Sequence, residues 1–256
     1  MNLNYKTYGN HSKTLLILHG LFGMTDNWHH IAGKLSDKYT IVVADLRNHG
    51  NSPHSSIMNY DVMASDVMEL LWNLNLDKVY LLGHSMGGKV AMNFAIQYPD
   101  KLHKLIVADI APKNYGRGHD DIFRALLPLD LSQFTTRSEI DKFLEKDLSN
   151  FYTRQFILKN LQRNDAGTYS WKMDLKNIYE NYDLISSGDL PKDKTYKGEA
   201  LFLRGSKSKY IQEKDKEIIL RSFPKASFET IENAGHWLHA DNPNAVVQAI
   251  FNFIDL

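Results

Sequence analysis

Cysteine is absent from the 256-residue chain. A chain without a thiol forms no disulfide, has no cysteine nucleophile and binds no metal through sulfur. The absence is compatible with a reducing compartment, and we expect a cytoplasmic protein.

An excess of either charge is also missing, because 30 Lys and Arg residues balance 30 Asp and Glu residues. No net field therefore attracts a nucleic acid or an anionic membrane. The apolar run Leu15–Leu18 is far shorter than the roughly 20 residues that a membrane-spanning helix needs. The N-terminus has no basic stretch followed by an apolar one, so no signal peptide is predicted. We expect a small-molecule partner, no nucleic acid and no membrane span, and the oligomeric state stays open.

Short apolar runs alternate with helix-like segments through most of the chain. Continuous apolar runs bounded by polar residues or glycine are typical of strands buried on both faces of a parallel sheet. These runs lie at residues 13–18, 40–44, 79–82, 105–108, 200–203 and 227–231. Helical spacing predicts helices at about residues 27–36, 61–73, 213–222 and 243–253. The alternation predicts an α/β protein with a doubly wound, mostly parallel sheet.

The pattern changes from about Lys113 to Lys197, where buried-strand runs vanish and aromatic residues mix with charged ones. We interpret this segment as several amphipathic helices that form a cap inserted between two sheet strands. The sequence thus predicts an α/β core of residues 1–112 and 198–256 and a helical cap of residues 113–197.

Four polar residues end or follow the predicted strands, namely His19, Asp45, Ser85 and Asp109. Ligands bind outside the carboxyl ends of the strands in such sheets, so this edge is the expected active site. His19 is expected to orient its own loop by hydrogen bonding.

Gly83, Ser85 and Gly87 match the G-x-S-x-G pattern of a nucleophile elbow, a sharp turn that presents a serine hydroxyl. The glycines have a steric reason, since the strained turn leaves no room for a Cβ. Its context also fits, because a strand-like run precedes the pattern and a helix-like segment follows it. We expect Ser85 to be the nucleophile.

A serine nucleophile needs a base, and the base needs an acid that orients it. In this kind of fold the chain order is serine, acid, histidine. His236 is the preferred base, because it lies in a Gly-containing loop after the last strand. His239 is the competing histidine, and a structural or helix-starting role is favoured for it.

The acid is harder to identify. Many proteins with this chain order carry an aspartate after the strand that follows the cap, but this chain has Ser208 at that position. The next carboxylate in that segment is Glu213. Asp109, at the carboxyl end of the strand before the cap, is the preferred acid. Asp45 precedes the nucleophile and is expected to hold the loop that contains Arg47.

When a serine attacks an ester carbonyl, a negative charge develops on the carbonyl oxygen. This oxyanion needs preorganised hydrogen-bond donors, which two backbone N–H groups can supply. We expect them to be the backbone amides of Met86, directly after the nucleophile, and of Leu21 in the first loop. Phe22 is the alternative to Leu21. The substrate pocket is predicted to include Phe22, Ile110 and Trp237.

Metal and cofactor chemistry are not expected. His29-His30 and the pair His236 and His239 lack the accompanying carboxylates of a metal site. The segment Gly83–Gly88 matches neither a P-loop nor a dinucleotide fingerprint.

The chain resembles the α/β-hydrolase fold superfamily, and within it the small YbfF-type esterases with their mitochondrial abhydrolase relatives. The resemblance runs nearly end to end and rests on residues 19–23, 45–54, 83–88, 109–112 and 235–237. It implies a mostly parallel central sheet with helices on both faces and an inserted helical cap. It also implies a carboxylesterase for short acyl esters or thioesters whose triad acid lies on the strand before the cap. Relatives commonly carry Gly-Gly-Asn-Ser where this chain has Gly205-Ser206-Lys207-Ser208, so the shape of that loop is open.

These observations predict a cofactor-free serine carboxylesterase for short-to-medium acyl esters or thioesters, acting through Ser85, His236 and Asp109 and an acyl-enzyme. A carbon–carbon bond hydrolase or a lyase could use the same triad on a small metabolite. A third hypothesis is a small-ligand sensor built on a hydrolase fold. Acyl length and the choice between ester and thioester stay open.

Overall fold

The computed structural model describes residues 1–165, 167–187, 190 and 194–255. Its strands are β1 (Tyr5–Tyr8), β2 (Thr14–Leu18), β3 (Thr40–Ala44), β4 (Val79–His84), β5 (Leu102–Ala108), β6 (Leu161–Arg163), β7 (Tyr169–Trp171), β8 (Ala200–Gly205) and β9 (Ala226–Ile231). Its α-helices are α1 (His29–Leu35), α2 (Tyr60–Asn73), α3 (Met86–Gln97), α4 (Asp120–Leu126), α5 (Arg137–Leu144), α6 (Phe151–Leu158), α7 (Leu175–Glu180), α8 (Tyr182–Ser186), α9 (Lys216–Ser222), α10 (Leu238–Asp241) and α11 (Pro243–Asp255).

The main sheet has seven strands within the described residues, in the order β1-β3-β2-β4-β5-β8-β9. Strand β1 pairs antiparallel with β3, and every other neighbouring pair is parallel. This is the mostly parallel α/β sheet that the sequence predicts. Strand β1 was not predicted, because its residues are largely exposed and carry no apolar run.

Alternate residues of the buried strands face opposite sides of the sheet, as the two-residue period of a strand requires. Leu15 and Ile17 of β2 face the side covered by α1 and α11. Leu16 and Leu18 face the side covered by α2, α3 and α9. Because both faces are covered, these strands are apolar throughout.

The segment between β5 and β8 contains α4 to α8, and we call it the cap. It leaves the sheet and returns to it between two neighbouring strands. Besides these helices, the cap contains a short antiparallel hairpin of β6 and β7 that the sequence did not predict. Strands of three residues are too short to leave a recognisable period in the sequence. Phe123 of α4 and Ile157 of α6 join the same buried cluster as one face of the sheet.

A membrane crossing would require a long, apolar helix, and none occurs among the residues that the structure describes.

Candidate active site

Ser85 lies at the sharp turn between β4 and α3, with a φ of 53° and a ψ of −120°. A positive φ is strained for serine, so the surroundings must hold this conformation. A Cβ on Gly83 would lie 2.1 Å from the carbonyl oxygen of Gly87, and a Cβ on Gly87 would lie 2.5 Å from that of Leu18. Both positions therefore require glycine, and the turn holds the serine above the carboxyl end of β4.

The structure brings Ser85, His236 and Asp109 into one hydrogen-bonded row. The Nε2 atom of His236 is 3.0 Å from the Ser85 hydroxyl oxygen, and its Nδ1 atom is 2.8 Å from Asp109 Oδ2. Because a carboxylate can only accept, Nδ1 carries the proton and Nε2 is left to accept from the serine. The imidazole side chain is 22% exposed, so water can reach it.

Asp109 follows β5 directly and is fully buried, also with a positive φ of 53°. Its Oδ1 atom accepts a hydrogen bond of 3.1 Å from the backbone amide of Gly205. Its Oδ2 atom accepts one of 2.5 Å from the hydroxyl of Ser208. Together with His236, these donors satisfy a buried carboxylate that would otherwise be costly to desolvate.

Ser208 and Tyr210 support this row, and the sequence did not reveal their part in it. Tyr210 stacks on His236 with ring centres 3.7 Å apart and the planes 15° from parallel. Its backbone amide donates to Ser208 Oγ at 3.2 Å. Burial, followed by the nearby charge of Asp109, raises the pKa of Tyr210. The missing aspartate at Ser208 was a usable signal, since a hydroxyl there can donate to Asp109.

The competing residues lie elsewhere. Glu213 is exposed and pairs with Lys216 at 2.8 Å. His239 is buried and stacks on Trp28 with ring centres 4.3 Å apart. Burial lowers the pKa of His239 to about 3, which keeps it uncharged near neutral pH.

Asp45 holds the loop that contains Arg47, as the sequence predicts. It accepts hydrogen bonds from the backbone amides of Thr25 at 2.6 Å and Asn51 at 2.9 Å. Arg47 itself forms a buried ion pair with Asp66, with an N–O distance of 2.6 Å. The position of Arg47 next to a strand end gave no sign of this partner on α2.

The loop after β2, residues 19–23, forms a tight turn closed by a 2.9 Å bond from the Gly23 amide to the Gly20 carbonyl. The Leu46 amide donates to Nε2 of His19 at 2.9 Å, so Nδ1 of His19 carries the proton and donates to the Gly20 carbonyl at 2.8 Å. Burial lowers the pKa of His19. His19 therefore orients the loop as a neutral side chain.

His84 holds the loop that contains His236. Its Nε2 atom donates to the backbone carbonyl of His236 at 2.8 Å. Burial, followed by the neighbouring His236 and His239, lowers the pKa of His84 well below the usual value. A neutral His84 holds the loop without adding a charge beside His236.

Two cavities meet at Ser85. The first has a volume of about 60 Å³ and is lined by His236, Trp237 and Phe22 among others. The second has a volume of about 120 Å³ and is lined by Met86 and Ile110 among others. Ser85, Leu21 and His119 line both cavities. Of the predicted pocket residues, Phe22 and Trp237 thus line the first cavity and Ile110 the second.

The cap forms the outer wall of both cavities. Phe156 of α6 packs on Trp237 with ring centres 5.5 Å apart. These two residues also line a third cavity of about 380 Å³ beside the first. His119, just before α4, has its Nδ1 atom 2.6 Å from the Tyr182 hydroxyl. Burial, followed by the nearby His236, lowers the pKa of His119, so it is neutral near pH 7. No sequence signal had marked His119.

Known proteins resemble this chain over most of its length. The family model described as the alpha/beta hydrolase fold matches residues 13–243. Esterase YbfF of Escherichia coli (strain K12) is 33% identical over 100% of this chain and 99% of its own length. A protein of Danio rerio named sn-1-specific diacylglycerol lipase ABHD11 is 38% identical over 99% of this chain and 83% of its own. A solved structure titled marine microorganism esterase is 43% identical with a TM-score of 0.96, covering 98% of this chain and 99% of its own.

Proposed function

The chain belongs to the α/β-hydrolase family, in its YbfF-type esterase branch, and from that premise we propose that it is a serine carboxylesterase. Its substrates are short-to-medium acyl esters or thioesters, and Ser85, His236 and Asp109 are its catalytic triad. The observation that carries the proposal is the unbroken row of hydrogen bonds from the Ser85 hydroxyl through His236 to Asp109.

In the first half-reaction, Ser85 Oγ attacks the acyl carbonyl carbon while His236 Nε2 takes the hydroxyl proton. The tetrahedral intermediate collapses when the C–O bond to the leaving group breaks and His236 returns the proton to the departing alcohol. In the second half, water attacks the acyl-enzyme, again losing a proton to His236, and Ser85 recovers it as the acid leaves. Asp109 holds the imidazole and stabilises its positive charge.

The negative charge that develops on the carbonyl oxygen needs donors already in place. We assign them to the backbone amides of Met86 and Leu21, with Phe22 as the alternative to Leu21. The Met86 amide is at the N-terminus of α3, where the helix provides no internal partner and its dipole favours a negative charge. Leu21 and Met86 line the second cavity together with Ser85, which supports this assignment.

The two cavities suggest where each arm of the substrate lies. Because His236 must protonate the leaving group, that group belongs in the first cavity, which His236 lines. The acyl arm then belongs in the second cavity, beside Met86 and Ile110. An engineered 150 Å³ cavity in another protein holds benzene, so about 120 Å³ suits an acyl arm of roughly four to six carbons. The leaving group can be longer, since the first cavity borders the third.

A hydrolysis panel tests the proposal. Esters and acyl thioesters with two to sixteen acyl carbons are assayed with the wild-type protein and with Ser85→Ala. We expect turnover to be highest for short-to-medium acyl arms, and Ser85→Ala to lower it about 10⁵- to 10⁶-fold. Hydrolysis at a near wild-type rate by Ser85→Ala would refute the mechanism.

The same panel addresses the alternatives. If no ester or thioester is hydrolysed although a fluorophosphonate still labels Ser85, the carbon–carbon hydrolase or lyase is the better hypothesis. Stabilisation by a small ligand with negligible turnover would favour the sensor.

A further inference from the structure

The carbonyl groups of the loop after β2 are held from two directions. The core holds the Gly20 carbonyl through His19, as described above. The cap holds the Phe22 carbonyl, which accepts a 2.8 Å hydrogen bond from Nδ2 of Asn160. Asn160 follows α6 and is fully buried, although it is 138 residues away in the chain. A buried hydrogen bond between such distant segments is a specific link between the cap and the loop.

The side chain of Asn160 has only one favourable orientation. Its Nδ2 atom also donates to the Ile157 carbonyl at 3.2 Å, so two carbonyl oxygens surround the amide nitrogen. Its Oδ1 atom is buried and has no hydrogen-bond partner among the described residues. Reversing the amide would place Oδ1 against the two carbonyl oxygens. The unpaired Oδ1 is thus the cost of presenting Nδ2 to Phe22.

The backbone of Asn160 is fixed as well. Its amide donates to the Ile157 carbonyl at 2.9 Å, and its carbonyl accepts from the Lys172 amide at 2.8 Å. The residue is therefore held at the junction of α6 and the β6–β7 hairpin, and it cannot follow the loop if the loop moves.

Phe22 needs this support because its φ is 60°, in the left-handed region. A non-glycine residue in that region costs on the order of 1–2 kcal/mol. The ring of Phe22 packs on Phe123, with centres 5.3 Å apart, and on His119, with centres 6.0 Å apart. Both partners belong to the cap. The cap thus holds Phe22 by its ring and by its carbonyl.

We infer that Asn160 is a positioning residue for the oxyanion hole. By holding the Phe22 carbonyl, it fixes the backbone of residues 21–23 and so aims the Leu21 or Phe22 amide at the developing oxyanion. The inference rests on the proposed esterase function. It gives the cap a part in transition-state stabilisation, beyond forming the wall of the cavities.

The test compares Asn160→Leu with Asn181→Leu. Asn181 is a matched control, because it is also a cap asparagine bonded to the core, but its Nδ2 donates to the Ser56 carbonyl at 2.9 Å, away from the oxyanion loop. Both variants are assayed with an oxygen ester and with its thionoester, in which sulfur replaces the carbonyl oxygen. Thermal unfolding reports how much of each variant is folded.

We expect Asn160→Leu to lower kcat for the oxygen ester about ten- to a hundredfold, less than the loss of a whole oxyanion donor, with KM within about twofold of wild type. The oxygen-to-sulfur rate ratio should fall severalfold, because a misaimed amide loses its preference for a small oxyanion. Asn181→Leu should keep the wild-type ratio.

Two results would overturn the inference: an unchanged oxygen-to-sulfur ratio in folded Asn160→Leu, or an equal fall in that ratio in Asn181→Leu. If Asn160→Leu does not fold, Asn160→Ala, which removes the donor without adding bulk, is subject to the same criteria. Failure of the proposed function looks different, since the wild-type protein would then hydrolyse neither ester.

Discussion

The carboxyl edge of the sheet and the cap form facing walls of the same cavities, but they are built differently. At the sheet edge, Ser85 and Asp109 follow the buried ends of β4 and β5, and both residues have a positive φ. In the cap, the five helices within the described residues have only five to eight residues each. Helices this short are not stable alone and depend on packing.

Exposure shows the same contrast. The residues of β4 are all buried, whereas Phe151 and Tyr152 of α6 are 55% and 75% exposed. A strained turn keeps its shape only where the surroundings over-determine it, which is why the proposed chemistry is at the sheet edge. The cap can vary in shape at less cost, so we expect it to control which substrates fit. Three predictions test this division of roles between the sheet edge and the cap, and one tests the burial of two core histidines.

The largest effect is expected at the sheet edge, from Asp109→Asn. An asparagine cannot hold the imidazole in the correct tautomer, so kcat should fall about 10⁴-fold, as in other serine hydrolases. Glu213→Gln is the control, since Glu213 is exposed and pairs with Lys216. Steady-state hydrolysis of a butyrate ester measures both variants. A larger loss in Glu213→Gln would refute the assignment of the acid.

Ser208→Ala should have the next largest effect. It removes one donor to the buried Asp109 carboxylate, and hydrogen bonds to charged groups contribute about 1.5–3 kcal/mol. We expect kcat to fall about ten- to a hundredfold with little change in KM. Ser206→Ala is a suitable control in the same loop, because its hydroxyl accepts from the Asn233 amide and not from the site. Equal losses in both variants would point to loop stability instead.

Acid should destabilise the core through His49 and His239. Burial lowers the pKa of each to about 3 from an ordinary value of 6.5. Between pH 6.5 and pH 3 the unfolded chain therefore binds protons that the native state excludes, and stability falls as pH falls. At pH 5 each histidine should cost about 2 kcal/mol, roughly a thirtyfold change in the unfolding equilibrium.

Urea unfolding at pH 7.5 and pH 5 measures this effect. His239→Gln should remove its share of the pH dependence, whereas His30→Gln, at an exposed position of α1, should leave it unchanged. Identical pH dependence in wild type and His239→Gln would contradict the burial argument.

The smallest effect is expected in the cap, from Phe156→Ala. Losing the ring that packs on Trp237 should raise KM a few-fold for esters with bulky leaving groups and leave kcat nearly unchanged, since about 1 kcal/mol of apolar contact is lost. Phe151→Ala, in the same helix at an exposed position, should change neither constant. A fall of kcat in Phe156→Ala comparable to that of Asp109→Asn would contradict the claim that the sheet edge carries the chemistry while the cap controls which substrates fit.

The same division explains what the sequence could predict. Strands buried on both faces leave apolar runs, and the elbow leaves glycines that no other residue can replace, so the sheet and the placement of Ser85, Asp109 and His236 could be inferred. The edge strand β1 was missed because its exposed residues leave no such run.

In the cap, His119 and Asn160 are joined to the site only by tertiary contacts, such as the bond from Asn160 to the Phe22 carbonyl. No spacing in the sequence encodes a partner 138 residues away. Ser208 is an intermediate case between the predicted residues of the sheet edge and the missed residues of the cap. Its unusual position was recognisable in the sequence, but its hydrogen bond to Asp109 was not.

The most direct test of the central claim is to identify the residue that becomes acylated. The wild-type protein is mixed with a p-nitrophenyl ester, quenched in acid, digested and analysed by mass spectrometry, in parallel with Ser85→Ala. We predict one acyl group per chain, on the peptide that contains Ser85, and none in Ser85→Ala. An acyl group on another residue, or hydrolysis by Ser85→Ala at the wild-type rate, would contradict the account.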